Sequence, residues 1–405
     1  MKDKIDELSV ILADYRAEEL GFVIDEGHVR KWISQFDKSV QAVILSETVY
    51  ILNKWYFHKN DYEDFFDLIF EFLKRKYATS ELEVLKEITF VNLQKDGESQ
   101  KRMLLCLDEK IKQKYGTSII QDIVTPCDKY VYIDDGLYTG KRARKDLEEI
   151  ISVLPQGSKL DVFYMVAGMQ GLRYVEERLK PKAESRNIDF GLYRMHPLEN
   201  IRFTDYWYEA DGTYIESYSK EQTCLWPSIS LSNDEKVKKY EEYIKTLSEK
   251  YEKKLYRSGH WINDAGIFSS VENRNIVEQE FLKKGIEIVD SCNAATGMYP
   301  LGYNLWPSFG FGSFTANYMN ISNTCPLVLW WGNITKKGDA LDAWYPLLPR
   351  RVNTVEVFEL DDEAASFETT YSRSDQYNMC PDCGKYFGIQ DDGGNGFCID
   401  CAWKH

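Results

Sequence analysis

No stretch of the 405 residues is apolar over the roughly 18 to 20 positions that a membrane-spanning helix requires. The N-terminal MKDKIDELSVILADYRAEEL mixes charges into its apolar positions and offers no signal-peptide h-region. Histidine is scarce: His28, His58, His196, His260 and His405 are the only five, and no two stand at metal-ligand spacing. There is no Gly-x-Ser-x-Gly elbow and no Walker loop, so nothing supports a nucleophile triad or a P-loop NTPase. Positive charge is in the minority, 50 Lys and Arg against 65 Asp and Glu, for a net charge of −15. An acidic field of this kind disfavours nucleic acid and anionic membrane surfaces as partners. Internal repeats and long low-complexity tracts are also absent. These absences describe a soluble, cytoplasmic chain.

Aromatic residues are plentiful at 14%, and the length favours two or three domains. Residues 1–80 read as a helical region, with apolar positions at three- and four-residue intervals from His28 to Tyr62. The segment DYEDFFDLIFEFLKRKY starts acidic and ends basic, as a helix dipole favours. From residue 81 to 200, short β-rich runs alternate with helical ones. ITFVNLQ, YVYIDD, KLDVFYMVA and IDFGLYRM read as strands, and RMLLCLDEKIKQKYG, KRARKDLEEIISVL and LRYVEERLKPKAESRN as helices. That alternation predicts an α/β core with a mainly parallel sheet flanked by helices. Residues 201–265 read as a helical insertion. In it, Val237, Tyr240, Ile244, Leu247, Tyr251 and Leu255 form one stripe, facing either its own domain or a coiled-coil partner. Residues 266–360 read as a Gly/aromatic cap completing the core, which opens with the helix ENRNIVEQEFLKKG and a strand IEIVD.

The most informative segment runs from Tyr130 to Arg142. Four apolar residues lead to Asp134 and Asp135, and a short loop then carries Tyr138, Thr139 and Gly140 into a helix beginning Lys141-Arg142. In an open parallel sheet, ligands sit beyond the carboxyl ends of the strands. Exposed N–H groups at such a turn and helix N-terminus can hold a phosphate, and the two carboxylates can accept hydrogen bonds from ribose hydroxyls. Lys141 and Arg142 add positive charge beside it. The combination suits a sugar phosphate.

This segment resembles the phosphoribosyl-diphosphate (PRPP) signature of type I phosphoribosyltransferases: an apolar strand, an acidic pair, three residues, then Thr-Gly. By that resemblance Asp134 and Asp135 are the candidate catalytic residues at the ribose, and Tyr138, Thr139, Gly140, Lys141 and Arg142 form the 5′-phosphate loop. Gly136, Tyr138 and the Lys141-Arg142 pair depart from the family pattern, which favours an aliphatic residue, a small residue and a small pair there. The family also uses an earlier loop for pyrophosphate. Here Lys95 to Arg102 stands in that order, with Gly97 and Ser99 for close backbone approach and Lys101 and Arg102 for countercharge. A plain surface turn is the other reading of that loop.

At larger scale, Trp32 to Phe36, the Asp-Asp turn and the run Pro326 to Trp331 occur in the order found in a branch of phosphoribosyltransferase-like proteins associated with bacterial conflict and antiphage defence. The resemblance covers roughly residues 28 to 350 and implies an enzyme acting on PRPP or a nucleotide at the ribose anomeric carbon, with Mg²⁺. A defence effector with a protein partner follows from the same resemblance. The competing reading is a non-catalytic nucleotide- or PRPP-sensing or scaffold subunit of a defence complex. A nucleic-acid-binding subunit would need a basic groove hidden within the acidic average.

Two further segments stand out. Between Gly297 and Phe314, glycines separate aromatic residues, which either leaves flat faces for a nucleobase, with Asn317, Asn320 or Asn323 as amide partners, or builds a packed core. In residues 370–405, Cys380 and Cys383 form one C-x-x-C knuckle and Cys398 and Cys401 another, 14 residues apart. Two such knuckles give the four-thiolate tetrahedral site of a structural zinc ribbon. The alternative, a pair of redox dithiols, lacks a thioredoxin-like βαβ setting. The other five cysteines are scattered, as reduced core residues are.

Overall fold

A computed structural model describes residues 1–77, 80–92, 99–121, 127–200, 205–208, 214–217, 222–247, 255–257, 262–292, 298–335, 340–350, 378–379 and 386–387. The chain divides into two compact units: residues 1–58 and 198–366 form the first, residues 59–197 and 367–405 the second.

The first unit opens with helices α1 (Lys2–Ile11), α2 (Ala17–Leu20), α3 (Glu26–Ile33) and α4 (Gln41–Trp55), then a short strand β1 (Tyr56–Phe57). Asp25 starts α3 by accepting the His28 N–H at 2.8 Å, the usual N-cap bond. The helix buries His28, Val29, Trp32 and Ile33, spaced so that one face turns inward. His28 is held at both ring nitrogens, with Nε2 2.8 Å from the Leu347 carbonyl and Nδ1 2.8 Å from the Tyr345 hydroxyl. Burial lowers its pKa.

The second unit runs α5 (Lys59–Tyr77), α6 (Glu81–Glu87), β2 (Ile88–Phe90), α7 (Ser99–Tyr115), β3 (Ile120–Gln121), β4 (Lys129–Leu137), α8 (Lys141–Val153), β5 (Lys159–Gly168), α9 (Met169–Ser185) and β6 (Asp189–Leu198). Its strands make one five-stranded sheet in the order β3-β2-β4-β5-β6. β2 pairs parallel with β3 and β4, and β4 pairs parallel with β5 through eight aligned positions from Lys129↔Lys159 to Leu137↔Ala167. Tyr130, Tyr132, Leu160, Val162 and Tyr164 pack with Leu147 and Ile150 of α8 and Val175 and Leu179 of α9 in one buried cluster. Both β4 and β5 are buried almost end to end, as parallel strands covered on both faces must be.

The strand order contains a reversal. From β2 the chain passes through α7 to β3 on one side, and from β4 it passes through α8 to β5 on the other. The crevice at the carboxyl ends of β2 and β4 is therefore a topological switch point, the place where open α/β sheets hold ligands.

The first unit resumes with β7 (Asp205–Tyr208), β8 (Tyr214–Ser217), α10 (Glu235–Leu247), α11 (Val271–Cys292), β9 (Met298–Tyr299), β10 (Gly302–Tyr303), β11 (Ala316–Asn317), β12 (Asn320–Ile321) and α12 (Leu327–Trp330). β11 pairs with both β1 and β12, so the two halves of the unit share a small sheet. The Trp32 indole N–H donates to the Val328 carbonyl at 2.8 Å, and Phe36 stacks on Phe281 and meets Trp344 edge-on. Beneath this lies a closed ion network of fully buried Arg257, Arg274 and Glu278, with Asp264 at its margin. The described part of the chain ends, back in the second unit, with β13 (Asn378–Met379) paired antiparallel to β14 (Tyr386–Phe387).

The structure revises some of the sequence expectations, and the helical insertion predicted over 201–265 contains the antiparallel pair β7–β8 as well as α10. IEIVD is not a strand but the last turns of α11. Gly285, which looks like a helix stop, sits inside that helix because a side chain there would meet the Pro300 carbonyl at 2.6 Å. The strand YVYIDD extends two residues further, with Gly136 and Leu137 still paired to Val166 and Ala167. The Gly/aromatic segment takes the packed-core reading: Met298, Tyr299, Leu301, Phe309, Phe311 and Phe314 are all buried, and Asn317 closes a turn by accepting the N–H groups of Met319 and Asn320.

Candidate functional site

At the switch point β4 ends in Asp134, Asp135, Gly136 and Leu137, and Tyr138 to Gly140 turn the chain into α8. Gly140 is the N-cap residue of α8, with φ +81°, a left-handed conformation that a side chain would strain. Its neighbour in space is Gly171, in the first turn of α9. A Cβ on Gly171 would lie 2.0 Å from the Tyr138 carbonyl oxygen, and one on Gly140 would lie 2.7 Å from the Gly171 carbonyl. The two glycines let the turn sit directly on the start of α9.

The first turn of α8 contains no acidic residue and its N-cap makes no side-chain hydrogen bond. Instead it carries half-buried Lys141, exposed Arg142 and half-buried Arg144, the last paired with Glu148 at 3.4 Å, and exposed Lys145 follows. Cations at the positive end of a helix dipole run against the intrinsic preference. The arrangement becomes favourable when an anion lies among them, held by the N–H groups and the basic side chains together. Thr139 is half-buried beside it.

The two aspartates sit in different surroundings. Asp135 is half-buried. Asp134 is 6% exposed. The Ser99 hydroxyl donates to its Oδ1 at 2.9 Å, the Asp135 N–H donates to the same oxygen at 2.9 Å, and the Tyr132 hydroxyl donates to Oδ2 at 3.3 Å. Burial, then the neighbouring Asp135 carboxylate, push the Asp134 pKa well above the usual carboxylate range. Burial does the same to the Tyr132 and Tyr164 hydroxyls, with the Asp134 charge adding to it. Nothing in the residue types separated the two aspartates, because the difference is one of burial.

Tyr138 and Gly136, two of the three departures from the family pattern, belong together. A Cβ on Gly136 would lie 2.6 Å from Cε2 of the Tyr138 ring, so the ring covers the space that an aliphatic side chain would fill. The two departures are one packing solution.

The first turn of α7 stands across the crevice. Buried Gln100 donates from Nε2 to the Val91 carbonyl at 3.0 Å, just past the end of β2, while Ser99 reaches Asp134. Lys101 is exposed and Arg102 half-buried. The structure therefore brings Asp134, Asp135 and Ser99 together at one strand end. Gly97, with Lys95, Asp96 and Glu98, lies outside the described residues, as do Cys380, Cys383, Cys398 and Cys401. Among the described residues no group of three or more His, Cys, Asp or Glu could hold a metal ion, and no helix is long and apolar enough to cross a membrane.

A family model described as PRTase-CE matches residues 29–350. No curated protein matches the chain. Among solved structures, that of the AQ2163 protein from Aquifex aeolicus is similar at 17% identity and a TM-score of 0.20, over 32% of this chain and 59% of that one. The chain thus matches little more than half the length of that protein, and a likeness at this level carries no argument.

Proposed function

The chain belongs to the PRTase-CE family, a phosphoribosyltransferase-like family, and from that premise we propose that the crevice between α7 and α8 binds the ribose 5-phosphate part of PRPP or a nucleotide. The single observation that carries the reading is a cationic α8 N-terminus, without acidic residues in its first turn, beside an acid-tipped strand at the switch point of the sheet. The 5′-phosphate lies in the turn Tyr138 to Arg142, against the α8 N–H groups and Lys141. Asp135 accepts hydrogen bonds from the ribose hydroxyls and orients the anomeric carbon. Lys101 and Arg102, on the opposite wall, face the diphosphate.

In this reading the reaction is displacement at the anomeric carbon through an oxocarbenium-like transition state, and the protein contributes positioning and charge more than covalent chemistry. Bound Mg²⁺ would neutralise the leaving diphosphate. Such an ion needs only one or two protein carboxylates when substrate phosphates supply the remaining ligands, and Asp135 fits that requirement. A sensing subunit is the second reading, favoured by the burial of Asp134, which removes one carboxylate from the pair.

The rest of the proposal concerns the chain beyond this crevice. Cys380, Cys383, Cys398 and Cys401 hold a structural Zn²⁺, on spacing alone. A cytoplasmic antiphage role, through modification or depletion of a nucleotide pool and with a protein partner, rests on the order of the motifs. Calorimetric titration with PRPP and with nucleotides, each with and without Mg²⁺, tests the core claim. Mg²⁺-dependent PRPP binding lost in Asp135→Asn supports the enzyme, nucleotide binding without turnover supports the sensor, and binding of neither removes both.

A further inference from the structure

We infer that the acidic pair is split by role. Asp134 is a positioning residue that clamps the N-terminus of α7 to the end of β4, and Asp135 alone presents a carboxylate to the ribose. The inference rests on the ribose-phosphate reading for its second half only.

The geometry of Asp134 carries the first half. Its carboxyl is 6% exposed, and both oxygens accept hydrogen bonds from within the protein. Of these donors, the Ser99 hydroxyl belongs to the first residue of α7, the Asp135 N–H to the strand itself, and the Tyr132 hydroxyl to a residue two places back on the same strand face. Asp134 thus joins the two sides of the switch point. The Gln100 bond to the Val91 carbonyl makes a second anchor for the same helical turn, on the neighbouring strand. Together they set where α7 begins, and with it where the wall carrying Lys101 and Arg102 stands relative to the phosphate turn.

The surroundings also decide which form of Asp134 suits the place. Tyr132 lies beside it on β4, Tyr164 opposite it on β5 with Asp146 of α8 in electrostatic reach of that tyrosine, Asp135 next in the chain and Ser99 across the crevice. An uncharged side chain of the same shape should serve there: Asn offers Oδ1 to Ser99 and to the Asp135 N–H, and its amide can donate to the Tyr132 oxygen. A residue that must hold a ribose diol as an ionised carboxylate would not accept that exchange.

The experiment uses the full-length chain with Asp134→Asn, Asp134→Ala, Asp135→Asn and Ser99→Ala, and two readouts. The first is hydrogen exchange of the backbone amides at the start of α7, which needs no ligand. We expect exchange at least about tenfold faster in Asp134→Ala and Ser99→Ala, and close to wild type in Asp134→Asn and Asp135→Asn. Unchanged exchange in Asp134→Ala overturns the clamp. The second readout is PRPP affinity with Mg²⁺. We expect Asp134→Asn within about threefold of wild type, and Asp134→Ala and Asp135→Asn each weaker by about tenfold or more. Equal losses in the two Asn variants overturn the division of roles. Binding that neither Asp135→Asn nor Asp134→Ala alters defeats the ribose-site reading instead, and the exchange result then still judges the clamp.

Discussion

A carboxyl group surrounded by tyrosines and another aspartate makes a pH-dependent contribution to stability whose sign follows from its environment. The Asp134 pKa is raised in the folded chain, so its favourable contribution is complete below the unfolded value and is lost as pH rises through the folded one. Asp134→Asn removes that loss. Its melting temperature should exceed that of the wild type by a few degrees at pH 8, and the gap should close as pH falls towards 4, read by thermal scans across pH. A gap that widens on acidification would show the wild-type carboxyl to be favoured as an anion. Gly171 is the other residue on which the site depends. With the Tyr138 carbonyl oxygen 2.0 Å from where a Cβ would stand, Gly171→Ala must push the phosphate turn aside. It should cost about 1–3 kcal/mol in urea denaturation and weaken PRPP binding as well. Sequence alone pointed to Thr139-Gly140 and to both aspartates. It did not reveal Gly171, which is distant along the chain, or the fitting of Tyr138 against Gly136, because both depend on which surfaces meet in three dimensions.

Helices report their purpose partly through the charges that they tolerate. The first turn of α8 holds basic residues where the dipole favours acids, so reversing them separates stability from binding. The double change Lys141→Glu with Arg142→Glu should leave the unliganded protein as stable as the wild type or a few tenths of a kcal/mol more so. It should reduce PRPP affinity by about tenfold or more, measured by calorimetry. Loss of stability without loss of affinity would mean that these cations serve internal ion pairs instead. The same helix was readable from sequence, with α7, α9 and the four longer runs of the sheet, because each has a clean period and a turn on either side. The end of α11 was not. Ile286, Ile288 and Val289 follow a glycine and alternate like a strand. Close packing of Pro300 against Gly285 explains the glycine without ending the helix.

For the chain as a whole, the metal proposal makes a separable claim. If the four terminal cysteines hold Zn²⁺, the purified protein should carry about one equivalent, and Cys380→Ser with Cys398→Ser should abolish it. PRPP affinity should be unaffected, because the residues proposed for the crevice all lie between 95 and 142. Zinc retained by the double variant would refute the four-thiolate assignment. The division into units was only partly legible. The α/β character of the middle third follows from its alternating pattern. That the N-terminal helices belong with residues beyond 198 depends on pairings such as Trp32 with Val328 and Tyr56 with Ala316, nearly three hundred positions apart. No local pattern encodes them.

Those distant pairings set a timetable. A ribosome delivers the first 58 residues long before their partners exist, and the 139 residues from 59 to 197 must emerge in between. At about 5–20 residues per second, the apolar face of Trp32 waits roughly 15 to 59 seconds for Val328, 296 positions downstream, to be made. The stretch from 59 to 197 has its own sheet and core and can fold during that interval. The early helices are thus the part of the nascent chain most in need of a chaperone. Truncation anywhere before residue 350 should leave them aggregation-prone, even where the stretch from 59 to 197 has already reached its native form.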